Sequence, residues 1–209
     1  MIVIRNIRIS NDNNCFTTTG LKRFVGFEFR LVKLKRDDSQ YLQLLTYLIN
    51  YFVDYKPVIN DNQTIAYHSW ILKFVFVNGV INLFEAQPDG EGFIEGADYG
   101  ITLISEQTEE CKVQNTTPLF PLFSQMIVIS EGVLEGAAIE GVRYSSPQHM
   151  TGRWLKTEHY NNDIKTLKTI HYSHLAFERP DIIKYLALSF GFRFLSETNE
   201  IWFDKEVLS

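Results

Sequence analysis

His171 and His174, in "HYSHLAFERPDIIKYLALSFGFRF", are the first residues here whose type and spacing could do chemistry. Three apart on a helix, two imidazoles share a face and can hold one metal ion. On a strand the odd spacing sends them to opposite faces. The stretch "TLKTIHYSHLAF" is rich in β-branched and aromatic residues and predicts an extended segment through both histidines. No H-E-x-x-H pattern surrounds them. They are read as hydrogen-bonded scaffold, one facing the core and one nearer the surface, and no metal site is expected. Nucleophilic catalysis has no better support, because neither a G-x-S-x-G elbow nor a family-type cysteine signature occurs. Gly132, Gly136 and Gly141 miss the spacing of a dinucleotide loop, and no phosphate-binding loop motif is present. Cys15 and Cys111 are too few for a disulfide framework, and Cys111 lies on an apolar stripe, as a buried thiol would. No catalytic residue and no cofactor are expected.

Carboxylates are the abundant chemical group. Residues 74–142 hold eleven acidic residues against Lys112 alone, a local charge of −10 in a chain whose net charge is −5. Residues 1–36 carry eight Lys or Arg against Asp12 and Glu28, a local +6. One-signed surfaces steer charged macromolecules, so the asymmetry points to a macromolecular partner. The alternative is that the two segments lie side by side and neutralise. Nothing singles out one pair of carboxylates for acid–base work. The basic segment alternates with phenylalanines as an ordinary sheet face does, and the chain is not basic overall, so nucleic acid is not an expected partner. A small-molecule ligand is not expected either. No apolar run approaches the ~20 residues of a membrane span. "MIVIRNIRIS" lacks the unbroken apolar stretch of a secretory signal. A cytoplasmic location without membrane contact is expected.

The elements that must position these groups follow from periodicity. Residues 2–9 and 24–34 alternate as strands, with the loop "NDNN" after the first. "DDSQYLQLLTYLINYFVDYK" predicts a helix capped by Asp38 or Ser39, with Tyr41, Leu44, Leu45, Leu48 and Phe52 on one face. "WILKFVFVNGVINLFEA" predicts a hairpin turning at Asn78-Gly79. Residues 95–112 predict a second helix, with Ala97, Ile101, Ile104, Thr108 and Cys111 on one face. Glu95, Asp98, Glu106 and Glu109 lie on another. Glu91 and Glu110 flank that stripe, and the six carboxylates are the candidate partner-binding residues. "NTTPLFPLF" marks a boundary, then come strands at "QMIVIS", "AIEGVRY" and "GRWLKT", a short helix with Pro180 in its first turn, and a closing hairpin "FRFLSETNEIWF". Tyr144, Trp154 and Trp202 are of the types that anchor interfaces, but read first as core or sheet packing. The expected fold is α+β, with mostly antiparallel sheets, two main helices, a short C-terminal helix and two packed lobes, residues 1–120 and 121–209.

The ordered blocks "SEGVLEG", Gly141–Tyr144, the Gly-x-Trp step at Gly152–Trp154, "DIKTLK" and "RPDIIKYLAL" resemble a family of bacterial polymorphic-toxin immunity proteins, the thirty-third immunity class. The resemblance covers roughly residues 126–195, and "TIAYHSWILKF" to "SEQTEEC" is similar to the stretch preceding that domain in longer members. The chain departs from the pattern at Thr151, where Ser is more usual, and at Arg153, where a second aromatic fits. The resemblance implies a cytoplasmic antitoxin, with no catalytic residues, that neutralises a secreted toxin by binding it. A hydrolase or modifying enzyme that reverses toxin damage, and a general interaction module, are the competing readings.

Overall fold

The computed structural model describes residues 2–12 and 14–208; Asn13, in the predicted "NDNN" loop, lies outside the described residues. The alternation at residues 2–9 builds a hairpin rather than one strand. β1 (Ile2–Ile4) and β2 (Ile7–Asn11) pair antiparallel around Arg5 and Asn6, both at positive φ, 50° and 64°. The turn shifts the alternation by one, because the partners Ile4 and Ile7 share a face although they stand three apart, and the apolar Val3 blurs that break in the sequence. β3 (Cys15–Thr19) follows, then a single helical turn, α1 (Lys22–Val25), ended by Gly26 at φ 87°, and β4 (Glu28–Val32). The predicted strand over 24–34 therefore begins only beyond that turn.

α2 (Asp38–Tyr55) buries Tyr41, Leu44, Leu45, Leu48, Ile49 and Phe52, the face its 3.6-residue period predicts. It starts one residue earlier than expected. Asp37 is the capping residue, and its N–H donates to the Gln40 side chain at 3.3 Å. Phe52 meets Phe29 and Phe74 with ring centroids 5.1 and 5.8 Å apart, which fixes the helix on the sheet. β5 (Thr64–Tyr67), β6 (Trp70–Val77), β7 (Val80–Ala86) and β8 (Phe93–Glu95) complete that sheet. Its order is β1-β2-β3-β4-β7-β6-β5, with β8 also on β7, and only β4–β7 is parallel. Asn78 and Gly79, at φ 52° and 79°, make the predicted β6–β7 turn.

α3 (Asp98–Val113) begins three residues later than the expected 95, because Glu95 is the last residue of β8. Glu85, 4% exposed, accepts from the N–H groups of Tyr99 and Gly100 at 2.9 and 2.7 Å and so satisfies two donors of the helix start. Burial pushes its carboxyl above the ordinary range, against the pull of those two N–H groups. Gly100 costs about 1 kcal/mol of helix propensity relative to alanine. A Cβ there would stand 2.9 Å from Trp70 Cδ1, so the glycine is what lets the indole approach.

The chain divides into two compact units, Met1–Thr102 and Leu103–Ser209. The second is built on a six-stranded sheet of β9 (Met126–Ile129), β10 (Glu140–Arg143), β11 (Met150–Lys156), β12 (Lys168–His171), β13 (Phe192–Leu195) and β14 (Glu200–Phe203). The order is β12-β9-β11-β10-β13-β14, antiparallel except for β9–β11. α4 (Tyr172–Glu178) and a 3-10 turn at Pro180–Tyr185 supply the short C-terminal helical segment. The expected extended segment through both histidines stops at His171. His174 lies inside α4 instead, and both side chains are exposed. Among the described residues no group of three His, Cys, Asp or Glu side chains is placed to hold a metal ion. The fold is α+β with mostly antiparallel sheets, and no helix among the described residues is long and apolar enough to cross a membrane.

Candidate interaction surface

The six candidate carboxylates do different things. In the first unit Glu91 is exposed in the turn before β8. Glu95 pairs with Arg30 at 2.9 Å, so one acidic and one basic segment do neutralise each other here. Asp98 accepts from the Tyr41 hydroxyl at 2.5 Å and from the Lys35 N–H at 2.9 Å. It ties the start of α3 to the loop before α2. In the second unit Glu106 and Glu109 are exposed and Glu110 is half-buried. Their spacing of three and four puts them on one side of α3, while Gln107 and Cys111 face inward and are fully buried. Gln107 Nε2 donates to the Ile183 carbonyl at 3.0 Å. Burial raises the Cys111 thiol to about 11, which leaves it protonated and unreactive at neutral pH.

Beneath Cys111 lie two cations that strand alternation concealed. Arg143 and Arg153 are register partners across β10 and β11, 5% and 0% exposed. Neither forms an ion pair with a carboxylate among the described residues. They bond to backbone carbonyls instead. Arg143 reaches Thr151, Leu119 and Leu188 at 2.9, 2.7 and 2.9 Å, and Arg153 reaches Tyr185 and Leu188 at 2.9 and 2.5 Å. The Tyr185 and Leu188 carbonyls lie at the end of the 3-10 turn and just beyond it, where the negative ends of aligned peptide dipoles favour a cation, whereas Thr151 is in β11 and Leu119 in the loop before β9. Burial pulls Arg143 down to about 10, still charged at neutral pH. Arg179 is likewise buried, leaving seven exposed or half-buried Lys and Arg in Leu103–Ser209 against fourteen carboxylates. The surface of this unit is thus more acidic than its composition suggests.

The opposite face of the sheet is read off the register. Val128, Trp154, Val142, Arg193 and Trp202 are successive cross-strand partners from β9 to β14, so they share a face. Trp154 and Tyr144 meet edge to face at 5.5 Å and are half-buried, and Trp202 is 38% exposed. These aromatics, expected first as core or sheet packing, pack on an accessible sheet face rather than in the core. The difference comes from the bulge at Met150–Trp154, where the β9–β11 register shifts and Gly152 takes φ 76°. The bulge opens a cleft of about 400 Å³ lined by Tyr144, Met150, Trp154, Val128, Pro147 and Ser145, among others. Two residues along β11, Lys156 pairs with Glu140 at 3.5 Å, and Glu140 pairs with Arg193 at 2.7 Å. A smaller cavity of about 230 Å³ lies there, with Glu140, Glu158 and Glu197 against Lys156. Sequence reading singled out neither cavity; the Gly-x-Trp step was the one available signal.

No curated protein matches this chain, and no solved structure matches it. A family model described as the Imm33-like domain matches residues 106–204, nearly the whole of the second compact unit, and bears out the immunity-class resemblance of the C-terminal half.

Proposed function

We propose that this protein is an immunity protein that binds a cognate bacterial toxin in a stoichiometric complex and neutralises it, without chemistry of its own. The match of residues 106–204 to the Imm33-like domain carries this reading. The surface agrees with it, since an inhibitor needs a firm scaffold and a complementary charge distribution rather than a reactive centre. The exposed carboxylates Glu106 and Glu109, with Glu110 beside them and Glu91 in the first unit, attract a basic partner. Glu95, paired with Arg30, and Asp98, bonded to the Tyr41 hydroxyl, contribute less to that attraction. Long-range attraction of this kind acts on the association rate and is screened by salt.

The expected result is therefore kinetic. With Glu91, Glu106 and Glu109 changed to Lys, association with the cognate toxin domain slows by about tenfold at low salt. The gap narrows as salt is raised, and the dissociation rate changes less. Stopped-flow or surface-based kinetics at two ionic strengths makes the measurement. An unchanged association rate takes these carboxylates out of the recognition surface.

A further inference from the structure

We infer that the cleft between Tyr144 and Trp154 is the anchoring subsite of the complex, and that its occupant is an apolar side chain from an extended, basic segment of the toxin. The inference rests on the immunity reading above and goes further by naming the surface and the chemistry it accepts.

Three observations carry it. First, the cleft is a built feature. A Cβ on Gly152 would lie far inside contact distance of the Tyr144 carbonyl oxygen, so the bulge that opens the cleft requires a residue without a side chain. Second, its roughly 400 Å³ are lined by apolar, aromatic and hydroxyl side chains and by no charged one. Such a lining takes an aliphatic or aromatic group and rejects an ion. Third, charge complementarity names the rest of the occupant. On the same face, two residues farther along β11, the neighbouring cavity is lined by Glu140, which Lys156 and Arg193 already pair, and by the exposed carboxylates Glu158 and Glu197. Side chains two apart on an extended chain point the same way and stand ~7 Å from each other. A toxin segment with an apolar residue at one position and Lys or Arg two positions on meets both cavities at once. The helix carboxylates Glu106 and Glu109 belong to α3, which packs on the opposite side of the sheet with Cys111 beside the buried arginines. They govern the speed of encounter, whereas the cleft governs how long the complex lasts.

The whole 209-residue chain and the purified cognate toxin domain are the materials for the test. Two variants remove the subsite differently: Trp154→Ala empties it, and Ser145→Trp, at an exposed position on its rim, fills it. Thermal melts establish that each variant folds, and Ser145→Trp carries the test alone if Trp154→Ala does not. Dissociation at least tenfold faster, with association nearly unchanged, is the expected result, and Glu158→Lys with Glu197→Lys shifts it the same way by a smaller factor. If the wild type binds and Ser145→Trp dissociates at the wild-type rate, the cleft is not the anchor, although the immunity reading stands. If the wild type does not bind, both fall. A concentration-dependent dimer that Ser145→Trp dissolves makes a second copy of this chain the occupant and overturns the proposal.

Discussion

Arg153→Ala is expected to lower the unfolding free energy by about 3–5 kcal/mol, among the largest losses from a single change in this molecule. The guanidinium is wholly buried and donates to the Tyr185 and Leu188 carbonyls, with longer contacts to Leu186 and Phe192 at 3.4 Å. Truncation takes one charged donor from each carbonyl, leaving Leu188 to Arg143 alone and Tyr185 to the longer bond from the Leu188 N–H at 3.3 Å, and it leaves a cavity the size of a long side chain. It also removes the cation that offsets the negative end of the Pro180–Tyr185 turn. Two comparisons isolate the cause. Arg153→Lys keeps the charge but offers a point donor in place of a planar fork, so it recovers a minor part of the loss. Arg153→Met refills volume without donating, and separates packing from hydrogen bonding. Urea unfolding of the three variants, read with a constant denaturant slope, makes the comparison. A loss under about 1 kcal/mol for the alanine variant means that water or a shifted backbone satisfies the carbonyls.

Gly152→Ala is expected to cost about 2–4 kcal/mol, combining strain at positive φ with overlap against backbone. The overlapping atom is the Tyr144 carbonyl oxygen, which cannot rotate away as a flexible side chain can. The Tyr144 N–H also donates to the Gly152 carbonyl at 2.9 Å, so relieving the overlap breaks the pairing of β10 with β11 at its open end. Gly136→Ala is the control. Gly136 has a similar φ, 92°, but a Cβ there meets nothing within 4 Å, so it carries the conformational cost alone, about 1–2 kcal/mol. Equal losses at the two sites contradict the account of the bulge. A larger loss at Gly152, joined to faster release of toxin, ties the fold of β11 to the cleft it forms.

The elements legible in the sequence are those in which one local signal dominates. α2 shows its buried face because six apolar positions follow the helical period, and β6–β7 shows its turn because Asn-Gly suits positive φ. The Arg5-Asn6 turn was hidden because neither residue advertises a turn as glycine does. Glu95 sits in β8 rather than on the helix because a carboxylate stripe continues across a strand end without a break in pattern. His174 entered a helix because the tertiary fit of Tyr172 and Leu175, both fully buried, overrides the extended preference of the preceding residues. The arginines are the sharpest case. Alternation on β10 and β11 places Arg143 and Arg153 together on one face, but a lone cation in a strand reads as solvent-facing. Carbonyls that the strand pattern does not reveal, Leu188 and Tyr185 more than thirty positions away among them, make the interior tolerable. The cleft was beyond sequence reading for the same reason, since its walls come from three separated segments.

The central claim is neutralisation by binding, and dose tests it most directly. The cognate toxin's activity is measured at fixed toxin concentration, well above the dissociation constant, while this protein is added in increments. The account predicts a linear fall that ends sharply at a fixed molar ratio, with the protein recovered chemically unchanged in the complex. Complete protection by a small fraction of an equivalent, increasing with time, contradicts it and makes the protein a catalyst.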